Sequence, residues 1–240
     1  MAYPSFSCSQ KLISLKITKE LLVALEQYFL KWVTDAAIVP KEEAPKSLSI
    51  EIEDKHGTER ITSVSQFTAS RFPDGTSKIN MVLRKPFAQD DMNFSVYLSF
   101  SRDARSSILH LDATMPNARE VVLGFKDGIL RILEQQKTWH CMAHPTPKIG
   151  LTLIALVVII SISLEKKDVS PLLSFFLLGA LAFIAVYLFG GIGVLRQYTE
   201  FDSRASERSN KIWSWLIGGL ATFLFFGTLL TFFRHYLLGF

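Results

Sequence analysis

The sequence closes with three uncharged apolar runs: IGLTLIALVVIISISL (residues 149–164), LLSFFLLGALAFIAVYLFGGIGVL (172–195) and IWSWLIGGLATFLFFGTLLTFF (212–233). About 20 apolar residues in a helix span the ~30 Å hydrocarbon core of a bilayer. The second and third runs reach this length, whereas the first has 16 residues, about 24 Å as a helix. It could still span if its charged flanks lay among the headgroups. The runs therefore predict a three-helix transmembrane bundle, with spans at about 149–165, 171–195 and 212–234.

The charge pattern bears on partners and location. The 240 residues carry a formal net charge of +4, and Lys and Arg alternate with acids instead of forming a stripe, so we expect no nucleic-acid partner. Residues 1–17 lack a basic region followed by an apolar core, so no signal peptide is expected. More basic residues flank the predicted spans on the side of the N-terminal domain than on the other side. The positive-inside rule then predicts an integral protein of a bacterial inner membrane with a cytoplasmic N-terminal domain.

Residues 1–138 show an order of strand, helix, several strands and helix. Apolar and polar residues alternate in 12–17, 48–53, 79–83 and 94–100, as in strands with one wet face. A helix follows the N-cap candidate Thr18, and a second opens near Pro116. This order predicts an α+β domain, with an antiparallel sheet flanked by two helices. Element order alone carries no function.

The predicted domains are a cytoplasmic domain (1–138), a juxtamembrane linker (139–148) and a transmembrane domain (149–240). Tryptophan and tyrosine favour the boundary between membrane and water. Five such residues near the predicted spans are therefore expected at a membrane interface: Trp139, Trp213, Trp215, Tyr198 and Tyr236.

Chemistry-bearing motifs are scarce. The sequence has no phosphate-binding loop, no HExxH and no GxSxG, and its two cysteines, Cys8 and Cys141, form no disulfide framework. His140, Cys141 and His144 are the strongest metal candidates but lack a fourth ligand. His110 and Asp112 share a strand face and could orient a general base, although no nucleophile is identifiable. We predict no catalytic residue, no metal site and no cofactor.

Small residues at two places indicate close helix packing. Gly124 and Gly128 lie inside the second predicted helix, where each costs up to ~1 kcal/mol against alanine. Packing on the sheet is the favoured reason, with self-association or close approach of a ligand as alternatives. Ser214, Gly218 and Thr222 recur every four residues, which favours helix–helix packing within one chain or between copies.

Together these patterns favour a non-enzymatic, membrane-anchored binding, assembly or effector protein. Its cytoplasmic domain would recognise a protein partner or a small ligand, and its transmembrane helices would sit in the lipid bilayer and self-associate as a homo-oligomer or membrane complex. One alternative is a binder of lipid or another apolar ligand, using a concave sheet under the Val122–Ile132 helix. A membrane-tethered enzyme and an oligomeric pore are further alternatives.

Overall fold

The fold is described from a computed structural model of the chain. It describes residues 3–85, 92–103, 106–140, 144, 147–164, 181, 184, 197–215, 218–219, 222 and 226. The chain divides into two compact units, Met1–Asp202 and Ser203–Phe240. Each unit is described by itself.

The first unit is built on a six-stranded antiparallel sheet with the order β1-β7-β6-β5-β3-β4. Its strands are β1 (Ser5–Lys11), β3 (Leu48–Asp54), β4 (Gly57–Ile61), β5 (Lys78–Arg84), β6 (Asn93–Ser101) and β7 (Ile108–Thr114). Alternate residues of the central strands are buried, as in Phe94, Val96, Leu98 and Phe100 of β6. This period of two places one face of the sheet against the core. The opposite face carries polar side chains, including Tyr97 and His110, which are register partners.

Two 17-residue helices pack on the apolar face, α1 (Lys19–Asp35) and α3 (Ala118–Glu134). A short α2 (Ala44–Ser47) leads into β3. The predicted N-cap of α1 is confirmed, because the Thr18 hydroxyl accepts a hydrogen bond from the Leu21 amide over 3.2 Å. Leu22, Leu25 and Phe29 then recur at helical spacing and are fully buried. The first unit is therefore α+β.

The core between the helices and the sheet is aromatic. Phe125 of α3 lies at its centre, with ring centroids 4.6 Å from Trp32, 5.2 Å from Phe29 and 5.6 Å from Phe94. Trp32 also stacks on Phe94, at 5.5 Å. These tilted, edge-on and offset contacts are the arrangements that aromatic rings prefer, and each adds about 0.5–1.5 kcal/mol beyond burial. The cluster joins α1, α3 and β6.

A distant segment completes the first unit. Residues 197–202 include the two-residue strand β8 (Glu200–Phe201), which pairs in parallel with β2 (Lys16–Ile17). Phe201 is 1% exposed and meets the Phe72 ring edge-on, with centroids 6.3 Å apart. The Tyr198 hydroxyl donates a hydrogen bond to the Leu12 carbonyl over 2.9 Å. The sequence placed these residues in the C-terminal domain, whereas the structure places them in the first unit.

The predicted transmembrane bundle is wrong: across the described part of the chain, no helix is both long enough and apolar enough to cross a membrane. Helix α4 (Pro147–Leu164) has 18 residues, a rise of about 27 Å. It includes Lys148 in its first turn, so its uncharged part is shorter still. The predicted spans at 171–195 and 212–234 fall largely on residues outside those described. The integral, inner-membrane localisation with a cytoplasmic N-terminal domain depended on these spans and is corrected with them.

In the second unit, residues 204–215 are helical. The Ser203 hydroxyl caps this helix by accepting a hydrogen bond from the Ser206 amide over 3.2 Å. The Thr222 hydroxyl donates a hydrogen bond to the Gly218 carbonyl over 2.8 Å, one turn back. Both residues belong to the predicted small-residue stripe with Ser214, whose packing role stays a prediction.

Candidate ligand-binding groove

A groove of about 530 Å³ opens at one end of the first unit, between the C-terminal end of α1 and the N-terminal end of α3. Four separate segments of the chain supply its walls. They contribute Ala36, Ala37, Ile38, Pro40, Lys85, Met92, Met115, Pro116 and Val121. The volume lies in the range of ~300–1,000 Å³ that small-molecule sites occupy.

The wall from α1 is formed by a tight helix end. Ala37 adopts a left-handed conformation with φ 52°, and its amide donates a hydrogen bond to the Thr34 carbonyl over 3.0 Å. The Ile38 amide donates a hydrogen bond to the Val33 carbonyl, also over 3.0 Å. Glycine usually occupies such a position, because a side chain there costs roughly 1–2 kcal/mol. The turn directs Ile38 and Pro40 to the groove.

The wall from α3 also holds a left-handed residue. Asn117 precedes the helix with φ 57°, and the Ala118 amide donates a hydrogen bond to the Met115 carbonyl over 3.2 Å. Ala37 and Asn117 are the two non-glycine residues with positive φ within the described ranges. One lines the groove and the other follows the lining residue Pro116. Backbone strain of this kind tends to collect at binding and catalytic sites, where the surrounding structure maintains it.

Among the described residues, the lining of the groove is apolar with one charged side chain. Met115 is buried, Met92 and Val121 are half-buried, and Lys85 is the described lining residue that carries a charge. Methionine side chains are flexible and polarizable, so they adapt to ligands of irregular shape. An apolar surface with a single cation suits an amphipathic molecule with a negative end.

The sheet beneath α3, where the sequence placed a possible apolar-ligand site, is filled by side chains. Val122, Phe125 and Ile129 of α3 are fully buried against Leu109 and Leu111 of β7 in one continuous core. Space for a ligand lies beyond the end of this layer, in the groove. The groove borders the N-terminal end of α3, and a ligand site under the helix stays a prediction.

The two glycines of α3 differ in their surroundings. A Cβ at Gly128 would overlap the hydroxyl and ring of Tyr28, whereas a Cβ at Gly124 would meet nothing within 4 Å. Tyr28 belongs to α1, so Gly128 permits close approach of the two helices instead of contact with the sheet. Gly124 is exposed, and no described contact explains it.

The remaining sequence candidates are dispersed. His140 lies 3.6 Å from the Glu200 carboxylate, and its Nδ1 lies 3.0 Å from the Gln197 carbonyl oxygen. His144 contacts the Tyr198 ring, and Cys141 lies outside the described residues. Within the part that is described, no group of three or more His, Cys, Asp or Glu side chains could hold a metal ion.

The aromatic residues expected at a membrane interface have unlike environments. Trp139 and Trp215 are 78% and 76% exposed. Trp213 is half-buried, and Tyr198 is held in the first unit by its hydroxyl. Tyr236 lies outside the described residues.

His110 and Asp112 do share the polar face of β7. His110 is exposed and has Tyr97 and Ser9 as register partners, while Asp112 has Ser95 and Ser7. Serine residues of the neighbouring strands stand nearby on the same face. His110 is open to solvent and Asp112 is half-buried on this polar face.

Comparison of the chain with protein-family models, with curated proteins and with solved structures gives no match. The class of the first unit is therefore defined by its own architecture: it is an α+β fold in which two helices cover one face of an antiparallel sheet. The sequence did not predict the groove, because its lining comes from residues far apart in the chain. The signal that could have pointed to it is the pair Met115-Pro116 just before a helix.

Proposed function

We propose that the first unit is a binding module whose groove takes a small amphipathic ligand with an apolar tail and an anionic end. The observation that carries this proposal is the 530 Å³ apolar groove with Lys85 in its lining. A straight apolar chain of about 10–12 carbons is a reasonable occupant of a cavity in this size range. Burial of such a chain contributes ~0.8 kcal/mol for each methylene.

The lining supports ligand binding over catalysis. The described lining side chains are alanine, isoleucine, proline, methionine, valine and one lysine, which supply apolar contact and one charge. None of them except Lys85 can hold or transfer a proton. The proposed role of Lys85 is therefore to orient the ligand by a charge-assisted hydrogen bond, worth about 1.5–3 kcal/mol. The module would then report or store the ligand without changing it.

The test is calorimetric titration of the purified full-length chain with dodecanoate, and separately with dodecanol. We expect saturable binding of dodecanoate at one site. The Lys85→Gln change should weaken dodecanoate binding by about tenfold, a loss near 1.4 kcal/mol, and leave dodecanol binding nearly unchanged. This difference separates the charge contribution from the apolar one.

A matched pair of substitutions locates the ligand. Ala36 lines the groove, and Ala24 is an exposed alanine elsewhere on α1. Ala36→Trp should fill the groove and reduce dodecanoate affinity at least tenfold, while Ala24→Trp should leave it unchanged. Equal affinities for the two tryptophan variants would place the ligand elsewhere and overturn the proposal.

A further inference from the structure

The outer edge of β1 differs from the other edge of the sheet. No strand of the described residues pairs with this edge, since β1 and β4 are the two ends of the sheet. Strand β1 reads SFSCSQK and has one charged residue, Lys11. Strand β4 reads GTERI, with exposed Glu59 and Arg60. Charges and short length are the usual protection of an edge strand against pairing. The β4 edge has this protection, and the longer β1 edge has almost none.

Two hydrogen bonds define which backbone groups of β1 face outward. The Met115 amide donates to the Pro4 carbonyl over 3.2 Å, and the Leu12 amide donates to the Ser107 carbonyl over 3.1 Å. Hydrogen-bonding direction alternates along an antiparallel strand, so the even residues of β1 point their amides and carbonyls toward β7. The odd residues, Ser5, Ser7, Ser9 and Lys11, direct theirs to the open edge.

We propose that this edge pairs antiparallel with the same edge of a second copy of the chain, in a register centred on Cys8. This register pairs all seven residues of β1, with Ser5 opposite Lys11, Phe6 opposite Gln10 and Ser7 opposite Ser9. The outward amides and carbonyls of the odd residues then bond to one another across a two-fold axis. The result is a continuous twelve-stranded sheet, twice the six of one copy.

The register is favourable in charge and in packing. Lys11 faces Ser5, so the positive charges of the two copies do not meet. Phe6 and Cys8 are half-buried, and Phe6 lies under Arg119 of α3, whose guanidinium carbon is 5.9 Å from the ring centroid. Leu123 is half-buried and lies one turn further on the same side of α3 as Arg119. Pairing would cover these apolar groups beside the edge.

Cysteine cross-linking of the full-length chain tests both the interface and its register. Cys141→Ser leaves Cys8 as the sole thiol of a chain with two cysteines. In the proposed register the two Cys8 residues form a non-hydrogen-bonded pair, with Cα atoms about 4.5 Å apart, within reach of a disulfide. Copper–phenanthroline in air, which takes up the two electrons of the thiols, should convert most of the protein to a covalent dimer on a non-reducing gel.

Moving the thiol supplies the controls. Two further chains carry Cys8→Ser and Cys141→Ser together with either Phe6→Cys or Gln10→Cys. Each of these chains alone should cross-link weakly, because position 6 of one copy lies opposite position 10 of the other copy. A mixture of these two chains should cross-link strongly. Similar yields at positions 6, 8 and 10, or no yield at any of them, would overturn the proposal.

Size measurement checks the same interface without cross-linking. Light scattering should give a dimer for the unmodified chain and for Ser7→Thr, which keeps the outward amide. Ser7→Pro, which removes that amide while leaving the bonds to β7 in place, should give a monomer. A monomeric unmodified chain, or a dimer that survives Ser7→Pro in a folded protein, would contradict pairing through this edge.

Discussion

The Tyr28 hydroxyl in α1 donates a hydrogen bond to the Phe125 carbonyl in α3 over 3.2 Å, and the two rings stack with centroids 5.3 Å apart. The helices meet at this point because Gly128, one turn beyond Phe125, has no side chain to block the tyrosine. Tyr28 thus combines an aromatic contact with Phe125 and a hydrogen bond to the backbone of α3. This contact joins α1 to α3, the two helices whose ends border the groove.

Alanine substitutions at the two glycines of α3 should change the free energy of unfolding in opposite directions. Gly128→Ala forces Tyr28 to move and should lower the free energy of unfolding by about 1–3 kcal/mol, as overpacking does. Gly124→Ala meets nothing and should raise it by up to ~1 kcal/mol, because alanine is the better helix former. Urea denaturation followed by circular dichroism measures both. The same sign of change in both variants would contradict the packing described.

Stability at high pH should depend on Tyr28. Burial raises the pKa of its phenol above 10.0, and the nearby Asp127 carboxylate raises it further. A raised pKa in the folded state means that this stabilisation is complete below the unfolded pKa and is lost as pH rises through the folded one. Above pH ~10 the unfolding free energy should therefore fall less steeply in Tyr28→Phe than in the unmodified chain. Tyr3→Phe, at an exposed position, is the control and should leave the slope unchanged.

Phe201 should be essential to the first unit despite its distance along the chain. Its ring is buried against Phe72, so Phe201→Ala should destabilise the unit by about 3–5 kcal/mol. Trp139→Ala, which removes a side chain that is 78% exposed, should change stability by less than ~0.5 kcal/mol. Thermal unfolding of the two variants gives the comparison. A Phe201→Ala protein with unchanged stability would show that residues 197–202 are not part of this core.

Glu26 provides the fourth prediction, through a buried carboxylate on α1. Its Oε2 accepts a hydrogen bond from the Val64 amide over 2.9 Å, at the start of the short 3₁₀ turn Val64–Gln66. Glu26→Ala leaves that amide buried without its acceptor and should cost about 1–3 kcal/mol. Glu26→Gln retains an acceptor oxygen and should cost less. Denaturant unfolding measures the difference, and equal losses would argue against the hydrogen bond as the cause.

Local patterns predicted the α+β class and most of its helices and central strands. The alternation in Phe94–Phe100 and the N-cap at Thr18 are examples. The first strand was placed wrongly: residues 12–17 contain only the two-residue β2, and the edge strand β1 lies at Ser5–Lys11. Strand β8 was not predictable, since two residues carry no periodicity and their partner, β2, lies far along the chain. Uncharged apolar runs led to the incorrect transmembrane bundle; the first run, at residues 149–164, does form helix α4, but no described helix meets the length and apolarity needed to cross a membrane. The groove escaped prediction because its walls converge only after folding.

The groove is tested most directly by the methyl signals of methionine. The chain has five methionines, of which Met92 and Met115 line the groove and Met81 is fully buried in the sheet core. NMR spectra of the full-length chain, labelled with carbon-13 at the methionine methyls and assigned by single Met→Leu changes, would be recorded during titration with dodecanoate. We expect the Met92 and Met115 signals to shift together and saturably, while the Met81 signal stays in place. Binding that leaves Met92 and Met115 unmoved, or that shifts Met81 as much, would contradict a ligand site in this groove.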